Sequence, residues 1–208
     1  MKAKNTLPLL FTVLIFACYL DEKDIGPNTD YYSSSAAPIH SSSSQEIVLL
    51  DTLRDPNLEY SYKVVKMGSQ TWITQNLNEI PKSGDWWCYG GKDFHENCRV
   101  YGKLYNWAAA KTVCPEGWKL PSKEDYEILS EWDSGHLTAT SVWHAVFGGE
   151  KYEDESRYYG RLDIDGNWWS SSDVGDWAYY FRLEKGGERL NKYSQKKTYG
   201  FSVRCIKK

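Results

Sequence analysis

Cys114-Pro-Glu-Gly-Trp-Lys-Leu-Pro-Ser-Lys-Glu-Asp-Tyr-Glu-Ile-Leu-Ser-Glu-Trp132 decides how the chain is built. A cysteine-led loop with prolines at 115 and 121 opens directly into a helix. Ser122 is a capping residue, and Glu124 and Asp125 occupy the first turn, where the helix dipole favours anions. Tyr126, Leu129 and Trp132 then recur every three residues along one buried stripe, and the helix ends before Gly135. Downstream the pattern turns to strands. Residues 161–164 and 167–171 flank Asp165-Gly166, a two-residue hairpin signal. Residues 177–183 form a strand closed by Gly186-Gly187, and residues 199–206 form the last one. There Phe201, Val203 and Cys205 share one face while Ser202 and Arg204 share the other. Upstream, 62–66 and 71–75 bracket Met67-Gly-Ser69 as a hairpin, and 104–111 reads as a short helix through Ala108-Ala-Ala110.

The N-terminus carries a different kind of information. An 11-residue apolar run, Leu7 to Ala17, follows Lys2 and Lys4 and ends at Cys18. It is too short to span a hydrocarbon core, which needs about 20 residues. Its layout is that of a secretory signal. Ile15-Phe-Ala-Cys18 resembles the lipobox of bacterial lipoproteins, which implies that residues 1–17 are removed and Cys18 is acylated. Several acyl chains anchor a protein stably without a transmembrane helix. Tyr19 rather than Asp after the cysteine implies, by the same resemblance, the outer membrane.

Beyond residue 17 the chain carries 23 basic and 28 acidic side chains, a net charge of −5. That argues against nucleic acid, whose recognition needs a basic face. Residues 31–44 hold seven serines and no charged side chain, a composition unable to offset its ordering entropy. Residues 18–56 therefore read as a flexible tether, with Ile47-Val-Leu-Leu50 its one apolar island, either docked as a strand or unstructured. Residues 57–208 are one domain's worth of chain. All ten tryptophans lie between Trp72 and Trp177, and such density marks an ordered core.

Five cysteines leave four once Cys18 is assigned to lipid. In an exported chain they imply up to two disulfides, with three possible connectivities. Cys88 and Cys98 flank a polar, glycine-rich loop that a local bridge would tie down, which leaves Cys114 for Cys205. A zinc site is disfavoured, because no pair is spaced CxxC and only His95 lies near a cysteine.

No catalytic residue, metal ligand or cofactor site is assigned. Asp163-Ile-Asp-Gly-Asn167 resembles the start of a calcium loop but lacks the glycine and glutamate that follow in an EF-hand. Glu150, Glu153, Asp154 and Glu155 read as a solvated loop rather than a rigid glycosidase pair. The histidines at 40, 95, 136 and 144 share no ligand spacing. The ligand candidates are the paired aromatics Trp86-Trp87 and Trp168-Trp169. Adjacent strand residues point to opposite faces, so one of each pair can be core while the other stacks on a sugar. The alternative is that both pairs simply fill the core.

Several blocks together resemble the Fibrobacter succinogenes major paralogous domain. They are Tyr62-Lys-Val-Val-Lys-Met-Gly-Ser-Gln-Thr-Trp-Ile-Thr-Gln-Asn-Leu77, Tyr101-Gly-Lys-Leu-Tyr-Asn-Trp-Ala-Ala-Ala110 and Cys114-Pro-Glu-Gly-Trp-Lys-Leu-Pro-Ser122, then Asn167-Trp-Trp-Ser-Ser-Ser172 and Ser202-Val-Arg-Cys205. More distantly, Leu120-Pro-Ser-Lys-Glu-Asp-Tyr126 and Gly200-Phe-Ser-Val-Arg204 resemble motifs of the formylglycine-generating enzyme group. The resemblance implies an α+β, C-type-lectin-like fold, with two short helices on a twisted, mostly antiparallel sheet and long irregular loops. It also agrees with a Cys114–Cys205 bridge. The enzyme group's redox cysteines have no matched positions, so its activity does not carry over. The expected function is a non-catalytic, lipid-anchored module of the cell envelope binding glycan or protein. The alternative is a structural or adhesin component that assembles without a small ligand.

Overall fold

A computed structural model of the chain describes residues 47–133, 143–153 and 158–208. In chain order the elements are β1 (Ile47–Leu53), β2 (Tyr62–Met67), β3 (Gln70–Ile73), β4 (Trp86–Trp87), α1 (His95–Tyr101), β5 (Leu104–Tyr105), α2 (Trp107–Ala110) and β6 (Trp118–Lys119). There follow α3 (Lys123–Asp133), β7 (Glu150–Lys151), β8 (Tyr159–Gly160), β9 (Asp165–Val174), β10 (Trp177–Glu184), β11 (Asn191–Lys196) and β12 (Ile206–Lys207). The strands pair antiparallel in a five-stranded sheet, β1-β2-β3-β12-β6, a three-stranded sheet, β11-β10-β9, and two small ribbons, β4-β5 and β7-β8. Short helices among mostly antiparallel strands make this an α+β fold.

The helix read from Ser122 is present as α3, and its cap is reciprocal. The Asp125 N–H donates to Ser122 Oγ at 3.2 Å and the Ser122 N–H donates to Asp125 Oδ2 at 2.8 Å. Such a box satisfies two of the N–H groups that a helix start leaves open. Tyr126 and Leu129 are buried and Trp132 is packed against the same cluster. The hairpin around Met67-Gly-Ser69 is also present, with Gly68 at φ +58°.

Three expectations need correction. Asp165-Gly166 is no hairpin turn: both residues lie inside β9, and the turn to β10 is Gly175-Asp176. Asp165 is fully buried beside Arg161, and a Cβ on Gly166 would fall 2.1 Å from Trp168 Cη2. The pair is thus a packing requirement rather than a turn. The 104–111 helix shrinks to α2, because Leu104 and Tyr105 pair with Trp87 and Trp86. A third helix, α1, occupies the loop between Cys88 and Cys98 and the residues just after it. Of the two readings of the Ile47–Leu50 island, the docked strand is the one found: it lies in β1, which pairs with β2.

Two aromatic clusters make the core, one on each face of β9. Trp169 enters the first, with Tyr105, Tyr180 and Phe201. Trp168 enters the second, with Trp72, Trp143, Tyr126 and Phe181. The closing segment is the seam between them. Phe201 exchanges backbone hydrogen bonds with Tyr105 and Gly200 with Lys151, and Ser202 bonds to Asn167 and Trp169. Alternation along 201–205 holds, but both faces are buried.

Candidate functional site

β4 places Trp86 and Trp87 on a ribbon whose far side is closed by the Cys88–Cys98 disulfide. A bridge that closes so short a loop gives the two indoles a fixed base. Both are partly exposed. Trp86 rests on the first cluster, with Lys103 Nζ 4.9 Å and Lys92 Nζ 5.2 Å from its ring centroid. Trp87 has Lys151 Nζ 4.5 Å from its ring, within cation–π range. Lys151 Nζ also donates to the Tyr152 carbonyl at 2.8 Å. Burial lowers the Lys151 pKa, opposed by Asp85 and Glu153. Around this pair, Tyr89 meets Tyr159 at 5.3 Å and Tyr152 meets Tyr199 edge-on at 6.0 Å. The result is a surface of aromatic faces and ammonium groups, built from β4, β7, β8 and the turn before Gly200.

Trp168 and Trp169 do not belong to it. Both have 0 % exposure, so neither can meet a ligand. The sequence argument correctly put them on opposite faces, but both faces of β9 are covered. Their indole N–H groups are used internally: Trp168 Nε1 donates to Asn76 Oδ1 at 2.8 Å, and Trp169 Nε1 to the Tyr105 carbonyl at 2.7 Å.

Beside the aromatic face lies a charged cluster that the sequence reading placed in solvent. Glu150 is 5 % exposed, and its Oε2 is 3.9 Å from Arg182 Nη2. Arg182 Nε is 3.4 Å from Asp165 Oδ2, which also accepts from Arg161 Nε. Arg182 Nη2 donates to the Tyr180 hydroxyl at 3.1 Å, and its guanidinium lies 5.2 Å from the Tyr193 ring. Asp165 Oδ1 is buried without a hydrogen-bond partner among the described residues. Glu153 is exposed and pairs with Lys196 at 2.9 Å, while Asp154 and Glu155 lie outside the described residues. Glu150, Asp165 and Glu153 each lie against basic partners.

Burial pushes the Glu150 carboxyl above the 4.5 of a free glutamate, opposed by the Tyr152 hydrogen bond and by Arg182 and Arg161, while Asp165 adds to the rise. The folded chain therefore holds this proton more tightly than the unfolded one. Its stabilising contribution is present at acid pH and is lost as pH rises through the raised value. Glu150→Gln removes that loss. Its melting temperature relative to wild type should climb as pH rises above the 4.5 of a free glutamate. A pH-independent difference would show that Glu150 titrates alike in both states.

The oxygen side chains at 163, 165 and 167 are turned to separate partners. Asp163 accepts from the Tyr101 hydroxyl at 3.1 Å, and Asn167 Oδ1 accepts from Arg182 Nε at 3.0 Å. Among the described residues no group of three or more His, Cys, Asp or Glu side chains is placed to hold a metal. His95 opens α1 and His144 is exposed; His40 and His136 lie outside the described residues. Cys18, the signal and residues 18–46 of the tether also lie outside them. No helix among the described residues is long and apolar enough to cross a membrane.

The structure joins Cys114 to Cys205 as well as Cys88 to Cys98. Sequence reading missed Tyr89, Lys151 and Tyr159, and read Glu150 as solvated where it is buried. Only Tyr89, next to Cys88, carried a local signal; the others reach the face through the β7–β8 ribbon, whose pairing depends on distant chain.

The family model described as the Fibrobacter succinogenes major domain matches residues 65–140. No curated protein and no solved structure gives a significant match to the chain. The matched stretch runs from β2 to beyond α3, and includes Trp86, Trp87, the Cys88–Cys98 loop and Cys114. Residues 65–140 of the chain thus carry a match to the Fibrobacter succinogenes major domain.

Proposed function

We propose that this chain is an exported, lipid-anchored binding module of the bacterial cell envelope, held by Cys18 at the outer membrane. In this reading its C-type-lectin-like frame presents Trp86 and Trp87 to a glycan. The observation that carries it is the aromatic face itself: two partly exposed indoles on a disulfide-closed ribbon, with Tyr89, Tyr159 and Tyr152 around them. Rigid aromatic side chains offer large contact area at low entropy cost. Two disulfides fit an oxidising compartment. In this reading the role is binding rather than catalysis.

The test is retention of the full chain on insoluble polysaccharides and a glycan array. The Trp86→Ala and Trp87→Ala variants should each weaken binding by roughly thirtyfold, the scale of an interface hot spot of about 2 kcal/mol. Wild-type chain that ignores every glycan would favour the assembly role, in which the domain contacts only envelope proteins.

A further inference from the structure

On another part of the surface an open cleft of about 560 Å3 is lined by Lys82, Lys111, Lys119 and Lys208, with Glu116 and Ser171 among the other residues. Four ammonium groups against one carboxylate stand out on a chain whose net charge is −3. Lys119 is paired, 2.9 Å from Asp125 Oδ2. Lys82, Lys111 and Lys208 are exposed and have no carboxylate partner among the described residues, the Lys111 ammonium lying against the Trp107 ring. An exposed lysine cluster costs repulsion that an anion would relieve.

The cleft is framed by fixed backbone. Lys111 Nζ sits 3.9 Å from the Trp107 ring centroid. The loop carrying Lys82 is fastened to the α2 region, where the Asn106 N–H donates to the Asp85 carbonyl at 3.0 Å and Thr112 Oγ1 to the Ser83 carbonyl at 3.4 Å. Lys208 is held by its N–H to the Gly117 carbonyl at 3.0 Å, and Cys114 on the wall is bridged to Cys205. Four lysines spread over 126 positions of sequence thus converge on one opening. Its volume lies in the range of small-molecule sites.

We infer that this cleft binds an anionic saccharide, one carrying carboxylate, sulfate or phosphate groups. The cleft shares no lining residue with the aromatic face. Anionic lipid headgroups share the same chemistry, so the experiment compares sources. Full-length chain is titrated with polygalacturonate, with neutral dextran and with vesicles of phosphatidylglycerol. Polygalacturonate should bind and weaken as salt is raised, because the contacts are exposed ion pairs. Lys82→Gln combined with Lys111→Gln should raise its Kd at least about tenfold. Lys66→Gln combined with Lys185→Gln, two exposed lysines elsewhere, should leave it unchanged. Near-ultraviolet circular dichroism checks that each variant keeps its tryptophan packing. The inference is overturned by equal affinity for dextran, by absence of polygalacturonate binding, or by an unaltered Kd in the Lys82/Lys111 variant. Binding to the vesicles without binding to polygalacturonate overturns the saccharide source.

Discussion

Replacing Cys114 and Cys205 together by alanine should lower the melting temperature by about 8–20 °C, whereas replacing Cys88 and Cys98 should lower it by about 5–11 °C. The difference comes from loop length. Cys114 and Cys205 are 91 positions apart, Cys88 and Cys98 only 10. Chain-entropy bookkeeping assigns about 4–5 kcal/mol to the long loop and about 2.7 kcal/mol to the short one. Each kcal/mol moves the midpoint by roughly 2–4 °C in a chain of this size. The long bridge also joins the loop before α3 to a fully buried position in the closing segment, so its loss loosens the seam between the clusters. The short bridge holds mainly the ribbon that carries Trp86 and Trp87. Its removal should therefore register more in ligand binding than in melting. Calorimetry of the two double variants, beside glycan titrations, separates the effects. A larger thermal loss from the short bridge would mean that loop closure is not what stabilises the fold.

What could be read from the sequence follows how local each signal is. The start of α3 was legible because a capping box is made within four residues. The β2–β3 hairpin was legible because Met67-Gly-Ser69 closes between adjacent strands. Asp165-Gly166 carried an equally good local signal and was misread, because its use is set by Trp168 and Arg161, on neighbouring parts of the chain. Trp168 and Trp169 show the same limit at the candidate site. Period two tells which way each points, but not that α3 covers one face of β9 while the closing segment and α2 cover the other. Glu150 sat among acidic neighbours and read as solvated; pairing with Gly160 and proximity to Arg182 bury it. The α1 helix, His-Glu-Asn-Cys-Arg-Val-Tyr, buries only Cys98 and so has no apolar stripe to find.

Arg204→Ala should cost about 3–5 kcal/mol, enough to unfold much of a domain of ordinary stability near body temperature. Arg204 is fully buried, and no carboxylate among the described residues pairs with it; burial pushes its guanidinium down from the usual range. Oxygen acceptors hold it instead. Nε donates to Asn76 Oδ1 at 3.1 Å, Nη2 to the His144 carbonyl at 2.9 Å, and Nη1 to the Trp143 carbonyl. The guanidinium lies 4.2 Å from the Trp143 ring and 5.1 Å from the Trp168 ring. Asn76 extends the network, donating to the Tyr101 carbonyl at 2.9 Å and the Val146 carbonyl at 3.2 Å. Alanine would leave buried acceptors without donors, at about 1–3 kcal/mol each, and open a cavity between two indoles. Relief from desolvating the charge offsets part of that cost. Arg204→Met fills the cavity without the charge and should cost less than alanine. Arg204→Lys keeps the charge but cannot serve three separate acceptors, so it should cost at least as much as methionine. Urea melts of the three variants give the order; a lysine variant as stable as wild type would mean that charge alone, not the fork of donors, is required. Asn76 and Arg204 stand in two of the sequence blocks that point to the family, and Trp168 in a third. All three are buried, and Trp168 and Arg204 both donate to Asn76 Oδ1, so those blocks record how the two clusters are joined.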